Sequence, residues 1–197
     1  MDSDESRFSM TKKHHTKTYL EAKRIGKVDK DFISFCDFIT KQKEFFTSSC
    51  CAGRITLVGL DKDESKRESA FHRKWHRTVE YNEILEGFSS FDGYILWFKQ
   101  EPLILHLGTN TMDNARLILE ICEKAGFKRA GIKVAKDGKY IVEILGTHNI
   151  NAPIKEKNSI EINEDYLKYL VKKGNEKFKT NQKMLKTLEK EFKKNLK

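Results

Sequence analysis

The central part of the chain carries short apolar runs in the order strand, strand, helix, strand, strand, and this order restricts the folds open to it. The predicted strands of this series are Tyr94–Lys99, Leu103–Leu107, Ala130–Ala135 and Tyr140–Gly146. Pro102 separates the first two and so stays out of a ladder interior, while Asp137-Gly138 between the last two is a strong hairpin signal. Because the repeated strand–helix alternation of a doubly wound sheet is missing, we predict an α+β fold with a mixed or antiparallel sheet and packed helices.

Further elements are predicted on both sides of this series. Four apolar residues recur at the spacing of one helical face, and they are Phe32, Phe35, Cys36 and Ile39. The helix between the strand pairs is expected to begin near Thr111 and to end at Gly126. Shorter elements complete the prediction, namely helices near Thr16–Ile25 and Tyr81–Gly87 and a strand at Arg54–Gly59. Residues 1–16 are interpreted as a mobile polar arm and residues 61–74 as a charged surface loop.

A long C-terminal helix is predicted over residues 163–197, with Asn163 as its N-cap. Its apolar stripe alternates spacings of four and three, and it consists of Leu167, Val171, Gly174, Phe178, Asn181, Leu185, Leu188 and Phe192. The segment holds eleven lysines and five acidic residues and so carries most of the excess positive charge. A solvated lysine face and an RNA-facing role remain equally open. No linker separates this helix from the rest, so we predict one domain over residues 1–197.

The formal net charge of +9 over 197 residues favours a polyanionic partner, with nucleic acid as the first candidate. Charge alone leaves the simpler interpretation of a lysine-rich surface equally open. The four cysteines do not make a disulfide scaffold at this length. The sequence shows neither a signal peptide nor an apolar run of the ~20 residues that span a bilayer. We therefore expect a cytoplasmic protein that has no membrane partner.

Three segments could carry chemistry. In residues 47–54, small side chains before Gly53 let the backbone approach a ligand, and Arg54 could bind a phosphate or carboxylate; a tight turn packed on the sheet is the alternative. In residues 74–77, a tryptophan among cations suits base stacking, but it could equally anchor a loop. In residues 94–106, Trp97 and His106 could line a cleft with Glu101 at the turn, although most such aromatic residues belong to cores.

Some chemistries are not supported by the sequence. Cys50 and Cys51 are adjacent, whereas zinc ligands usually lie two to four residues apart, so we predict no metal site. A metal-dependent nuclease or hydrolase built from these cysteines with His76 and His106 stays as a remote alternative. Phosphate-binding loops, nucleophile elbows and dinucleotide glycine fingerprints are missing, and so is the glycine-rich loop of Rossmann-type methyltransferases. The residues alone therefore indicate a basic α+β RNA-binding protein with a candidate pocket.

Taken in order, the motifs of this chain resemble those of the tRNA wybutosine-synthesizing protein three family, in its stand-alone archaeal form. The matching segments extend over about residues 18–185 and are Thr47–Arg54, Lys74–Arg77, Leu96–His106, Ala125–Ile132, Val142–Pro153 and Asn175–Asn181. The chain departs from the family pattern at Cys50 and Ala130, where serines are usual, and at Asn151, where an aspartate is common. The resemblance implies a compact α+β fold unlike the common methyltransferase architectures.

The resemblance also implies an activity. It is the S-adenosyl-methionine-dependent methylation of N-4 in 7-aminocarboxypropyl-demethylwyosine, at position 37 in the anticodon loop of phenylalanine tRNA. A non-catalytic tRNA-binding protein that presents this loop to another modification enzyme is the alternative. Contacts with other enzymes of the wyosine pathway remain open, and a monomer or weak dimer is expected.

Site residues are assigned on the basis of that activity. The candidate bases for the proton on nitrogen are Asp29, His76 and His106. The residues predicted to contact the methyl donor or the modified base are Ser49, Cys51, Gly53 and Glu101. The residues predicted to contact RNA are Arg54, Trp75, Arg77, Trp97, Arg129 and Lys177, with Trp75 or Trp97 stacking on the base.

Overall fold

The computed structural model describes residues 3–64, 70–157 and 159–196. Its helices are α1 (Ser3–Arg24), α2 (Lys30–Lys41), α3 (Tyr81–Ser89), α4 (Met112–Lys124) and α5 (Glu164–Asn195). Its strands are β1 (Phe45–Cys51), β2 (Arg54–Leu60), β3 (Ala70–Trp75), β4 (Ile95–Glu101), β5 (Ile104–Thr109), β6 (Arg129–Lys136), β7 (Lys139–Leu145), β8 (Ile150–Glu156) and β9 (Ile160–Glu161). Every strand pair among the described residues is antiparallel, so the α+β prediction with antiparallel sheets is confirmed.

The chain divides into two compact units, each built from separate segments. Unit 1 comprises residues 1–52, 103–147 and 182–197, and it contains a four-stranded sheet in the order β1-β5-β7-β6. Unit 2 comprises residues 53–102 and 148–181, and it contains a five-stranded sheet in the order β3-β2-β4-β8-β9. Each unit therefore has its own hydrophobic core, and the single domain over residues 1–197 stays a prediction.

In unit 1, helices α2 and α4 and the last turns of α5 cover one side of the sheet. The predicted face of α2 is fully buried there, since Phe32, Phe35, Cys36 and Ile39 have no exposed surface. Alternate residues of β5 and β7, such as Leu105 and Val142, point into the same core. On the other side of the sheet, α1 packs Phe8 and His15 against the ring of Phe46.

In unit 2, α3 and the first part of α5 pack on one side of the five-stranded sheet. Ile55, Leu57 and Phe98 from the central strands meet Val171 and Phe178 of the helix. Strand β3 contains a bulge, because Leu57 pairs with Arg73 whereas Val58 pairs with Phe71, which leaves His72 as the extra residue. The His72 ring bonds through Nε2 to the carbonyl of Gly87 at 2.9 Å and so ties the bulge to α3.

Several sequence expectations are confirmed by the structure. Lys136 pairs with Lys139 across the hairpin at Asp137-Gly138, where Gly138 has a φ of +69°. The side chain of Thr111 caps α4 by accepting from the amide of Asn114, and Asn163 caps α5 in the same way. The apolar stripe of α5 is buried along its whole length.

The structure differs from the sequence expectations in four places. Helix α1 already begins at Ser3, because Phe8 buries its ring in unit 1, so residues 3–16 of the predicted polar arm are helical. Residues 45–51 form a strand, so most of the segment 47–54 is not a turn. Of the loop expected over residues 61–74, residues 70–74 belong to β3 and residues 65–69 lie outside the described residues. Strand β8 was not predicted, because a proline in the sequence suggests a break in a strand. Pro153 is tolerated there because, among the described residues, β9 pairs only with Lys155 and Glu156 of β8. Pro153 therefore needs no backbone N–H donor on the side of β9. No helix of the described residues is long and apolar enough to cross a membrane.

Candidate active-site residues in the two units

A hydrogen-bonded row of three side chains crosses the four-stranded sheet of unit 1. Ser49, His106 and Glu143 occupy directly opposed positions on β1, β5 and β7. The Ser49 hydroxyl lies 2.7 Å from Nδ1 of His106, and Nε2 of His106 lies 2.9 Å from the Glu143 carboxylate. A bulge at Ser48 shifts the β1 register by one residue between Thr47 and Ser49, and this shift brings Ser49 opposite His106.

The charge of Glu143 fixes the direction of these hydrogen bonds. Hydrogen bonds from His106 and Lys133 hold the pKa of Glu143 below its usual value, so the carboxylate is ionised at neutral pH and can only accept. In the neutral imidazole of His106, Nε2 therefore carries the proton and Nδ1 accepts a hydrogen bond from the Ser49 hydroxyl. The row consequently has the hydroxyl–imidazole–carboxylate order in which a proton can move from the hydroxyl to a ring nitrogen.

This row lies on the side of the sheet that faces away from α2 and α4, which we call the polar face. Strand alternation places Cys51 and Arg129 on the same face. Gly131 stands opposite Glu143 and leaves open space there, and a shallow cavity of about 350 Å³ is lined by Arg129, Gly131, Lys133 and Glu143. Four of the predicted site residues, Ser49, Cys51, His106 and Arg129, are thus brought to one surface of unit 1.

Cys50 points to the opposite side of β1. Its sulfur lies 3.9 Å from that of Cys36 on α2, and it packs against the core of unit 1. Hydrogen bonding to Cys50 and burial raise the pKa of the Cys36 thiol. Cys50, which stands where a serine is usual in the family, therefore lies on the inner side of the strand, away from Ser49 and His106.

Asp29 lies beside the end of strand β1, which is within the segment 47–54. One carboxylate oxygen accepts a hydrogen bond from the amide of Ala52 at 2.7 Å, so this side chain holds the backbone that follows β1 instead of capping its own helix. Gly53, the next residue, has a φ of +98°, a conformation in which a side chain would be strained. Together these two features fix where the chain leaves the polar face after Cys51.

In unit 2, Arg54 and Glu101 form an ion pair at directly opposed positions of β2 and β4. The Arg54 guanidinium also lies over the exposed ring of Phe71, 4.7 Å from its centroid. Trp97 lies two residues from Lys99 on the same side of β4, and its indole nitrogen is buried without a hydrogen-bond partner among the described residues. Arg54, Glu101 and Trp97 therefore share the side of the sheet that faces away from the core of unit 2.

Four further residues that the sequence predicts as site residues belong to unit 2. Trp75 pairs with Ile55 and packs against the hydrophobic core, as in the loop-anchor interpretation. His76 is exposed. Arg77 makes two hydrogen bonds to Glu83, and these, with a bond from the Glu80 amide, lower the pKa of Glu83 to about 2. Lys177 is half-buried on α5.

Two functional candidates were missed in the sequence, namely Glu143 and Lys133. Their strands were predicted correctly. The alternation of side chains along β7 would have placed Glu143 on the other side of the sheet from the apolar Val142 and Ile144. The register between β5 and β7, which depends on long-range pairing, was the missing information. A cavity of about 950 Å³ along α1 has none of the thirteen predicted site residues in its lining.

Comparisons with known proteins identify relatives over almost the whole chain. The model of the family described as methyltransferase TYW3 matches residues 8–194. The chain is 32% identical to the tRNA(Phe) 7-((3-amino-3-carboxypropyl)-4-demethylwyosine(37)-N(4))-methyltransferase of Thermococcus sibiricus, over 96% of both chains. It is 37% identical to the protein of the same name from Archaeoglobus fulgidus, over 84% of this chain and 83% of the relative.

A solved structure has the same fold. The protein PH1069 from Pyrococcus horikoshii superimposes with a TM-score of 0.88 at 31% sequence identity, covering 94% of this chain and 95% of that one.

Proposed function

Because the chain belongs to the methyltransferase TYW3 family, we propose that it methylates N-4 of 7-aminocarboxypropyl-demethylwyosine at position 37 of phenylalanine tRNA, with S-adenosyl-methionine as the donor. The observation that carries the proposal is the match to relatives named for this reaction over up to 96% of both chains. No feature of the chain favours the alternative of a non-catalytic tRNA-binding protein.

The polar face of unit 1 offers groups that suit the donor. S-adenosyl-methionine carries an amino acid group with one carboxylate and one ammonium, and the modified base carries the same aminocarboxypropyl group. Lys133 and Arg129, which is also predicted to contact RNA, supply cations and Glu143 supplies an anion around one cavity, and His106 connects Glu143 to the Ser49 hydroxyl. We propose that Ser49 and Cys51 contact the donor or the base; the roles of Gly53 and Glu101 stay predictions, since the Glu101 carboxylate already pairs with Arg54.

When bound, the donor supplies a methyl group on a positively charged sulfur and so needs little further activation. The chain's own contribution is positioning, which can reduce a barrier by ~7–11 kcal/mol when the reacting atoms are held close and aligned. Methylation of a ring nitrogen also releases a proton. The Ser49 hydroxyl can accept this proton while it passes its own to Nδ1 of His106, and Glu143 stabilises the imidazolium that results. Asp29 and His76 remain the other proposed bases.

RNA contacts are proposed on unit 2. Trp97 is the proposed stacking surface for the base, since Trp75 packs into the core. Arg54, Arg77 and Lys177 are proposed to contact phosphates, and so are exposed lysines of α5 such as Lys172 and Lys179. The four cysteines form no disulfide among the described residues, which is consistent with the cytoplasmic location that we propose. We propose a monomer or weak dimer.

The test is a methyl-transfer assay with purified protein, S-adenosyl-methionine and phenylalanine tRNA that carries the demethylated precursor. Nucleoside mass spectrometry should show the gain of one methyl group on the tricyclic base. tRNA that lacks the aminocarboxypropyl group is the matched control for substrate recognition. Tight tRNA binding without any methyl gain would leave the non-catalytic alternative in place of the enzyme.

A further inference from the structure

The side of the five-stranded sheet that faces away from the core of unit 2 carries aromatic and basic residues in rows. Phe71, Val58 and Trp97 form one row across β3, β2 and β4. Lys74, Thr56 and Lys99 form the next row, and Arg54 with Glu101 forms the third. We call this surface the aromatic–basic face; its aromatic and charged members are Arg54, Phe71, Lys74, Trp97, Lys99 and Glu101.

The bulge in β3 creates this arrangement. Phe71 and Lys74 are three residues apart, so in a regular strand their side chains would point to opposite sides of the sheet. The extra residue His72 shifts the alternation of side chains by one position, so Phe71 and Lys74 lie on the same side of the sheet. Because His72 bonds to Gly87 and its ring packs edge-on against Phe91, the bulge is fixed to α3. Phe71 is therefore held on the outer side of the sheet.

The Phe71 ring is exposed although it is apolar. It keeps 51% of its surface accessible, whereas Phe46 and Phe98 retain at most 1%. Two cations lie over it, since the Arg54 guanidinium is 4.7 Å and the Lys74 ammonium is 5.3 Å from its centroid. Lys99 is placed in the same way over Trp97, at 5.4 Å. Each aromatic ring of the face thus has an ammonium group beside it.

The charge of the face selects an anionic partner. The three rows contain three cations and one carboxylate, and that carboxylate is engaged by Arg54. Phe71 is exposed and Trp97 is half-buried, and they lie on the two strands that flank β2. Aromatic rings with cations beside them are the means by which β-sheets stack unpaired bases and hold the attached phosphates.

We propose that the aromatic–basic face binds single-stranded nucleotides of the RNA substrate, with one base stacked on Phe71 and the adjoining phosphates held by Lys74 and Lys99. The proposal rests on the proposed function, because the anticodon loop supplies the unpaired nucleotides. Phe71 therefore binds a nucleotide that neighbours the modified one and contributes to affinity and not to the chemical step.

The experiment measures the binding of a fluorescently labelled anticodon stem-loop of phenylalanine tRNA, without modified bases, to the full chain. Phe71→Ala should weaken binding about 5- to 150-fold, which corresponds to the ~1–3 kcal/mol of one stacked base at 1.4 kcal/mol per tenfold. Phe71→Tyr keeps an aromatic ring and should bind within about twofold of the wild type. Tyr169→Ala is the matched control, because Tyr169 is 53% exposed and also lies beside a lysine, Lys173, but on α5.

Unchanged affinity in Phe71→Ala, or an equal loss in Tyr169→Ala, would overturn the proposal while methylation by the wild type stands. A loss confined to Phe71→Ala in a protein that transfers no methyl group would support the proposal and refute the enzyme function. Photocrosslinking of 4-thiouridine-substituted stem-loop to the wild type, mapped by mass spectrometry, gives a measurement without substitution. Crosslinks should fall on β3 at Phe71, and crosslinks confined to other elements would contradict the proposal.

Discussion

Gly174 lies in the middle of α5 and faces the core of unit 2, so Gly174→Ala sets helix propensity against packing. A Cβ added there would lie 2.8 Å from Cζ and 3.2 Å from Cε1 of Phe98, and 3.8 Å from Cδ1 of Ile55. Phe98 is fully buried and cannot move its ring toward solvent. The clash is therefore with a fixed aromatic ring, and the contact with Ile55 is an ordinary one.

The two opposing effects have known sizes. Alanine is better than glycine in a helix interior by ~1 kcal/mol, which alone would stabilise the protein. Overpacking a core typically costs ~1–3 kcal/mol, and a ring that is buried on all sides lies within that range. Packing should win, so Gly174→Ala should lower the free energy of unfolding of unit 2 by about 1 kcal/mol.

The sign should reverse in a Phe98→Leu background. Leucine lacks the Cζ atom that the new methyl group would meet, so the propensity gain remains and Gly174→Ala should stabilise this variant by up to ~1 kcal/mol. The double-mutant cycle should then give a coupling free energy of about 2 kcal/mol, within the usual range for residues in direct contact.

Urea unfolding followed by tryptophan emission measures this, because both tryptophans, Trp75 and Trp97, belong to unit 2. The slope of the free energy against urea should be the same in all four proteins, which shows that the midpoints report stability. If Gly174→Ala stabilises the wild type, or destabilises both backgrounds equally, the clash with Phe98 is not the reason for the glycine.

Three further predictions concern hydrogen-bonded side chains. At saturating S-adenosyl-methionine, Glu143→Gln should reduce the single-turnover methyl-transfer rate at least about 100-fold with tRNA affinity within twofold. Lys133→Gln removes a donor to the same carboxylate and should cost much less under these conditions; equal losses would remove the proton relay. Glu83 has a pKa of about 2, below its ordinary value, so it contributes stability that is fully present above about pH 4.5 and is lost as the pH falls toward 2. Glu83→Gln keeps a residue that can form the capping box, and it should reduce the pH dependence of thermal stability over that window. The effect should be less than ~1 kcal/mol, because Arg77 is largely exposed. The same pH dependence in the variant and the wild type would contradict this. The side-chain amide of Asn175 accepts a hydrogen bond from the N–H of Val79 at 2.9 Å and donates one to its carbonyl at 2.8 Å. Asn175→Ala should therefore lower the stability of unit 2 by ~2–3 kcal/mol and leave RNA affinity unchanged at temperatures where the variant stays folded. A loss of affinity without a loss of stability would make Asn175 an RNA contact.

Much of the fold could be predicted from the sequence because its signals are local. The repeat of Phe32, Phe35, Cys36 and Ile39 needs only helix geometry, and Asp137-Gly138 needs only turn chemistry. The strand β3 could not be predicted, because the bulge at His72 breaks the two-residue alternation on which strand prediction depends. The sequence predicts β4 and β5 as two consecutive strands separated by Pro102, but they pair within different sheets, a choice that only long-range contacts decide.

The candidate site could be predicted only in part for the same reason. Residue type and the family resemblance suggested Ser49 and His106 separately, and the register of β1 against β5 joins them. Glu143 was not suggested, since a carboxylate among alternating residues of a hairpin has no special signal. Trp75 and Trp97 looked equivalent in sequence, and the side of the sheet on which each lies separates them.

The chain crosses from one unit to the other four times, after Ala52, Pro102, Thr147 and Asn181. Neither unit is therefore one continuous stretch of the gene, and no single cut separates the two units intact. During synthesis, unit 2 lacks its last segment until residue 181 has been made, and unit 1 until residue 197. A recombination point between residues 53 and 181 would divide both cores, so we expect this architecture to be inherited and fused to other proteins only as a whole.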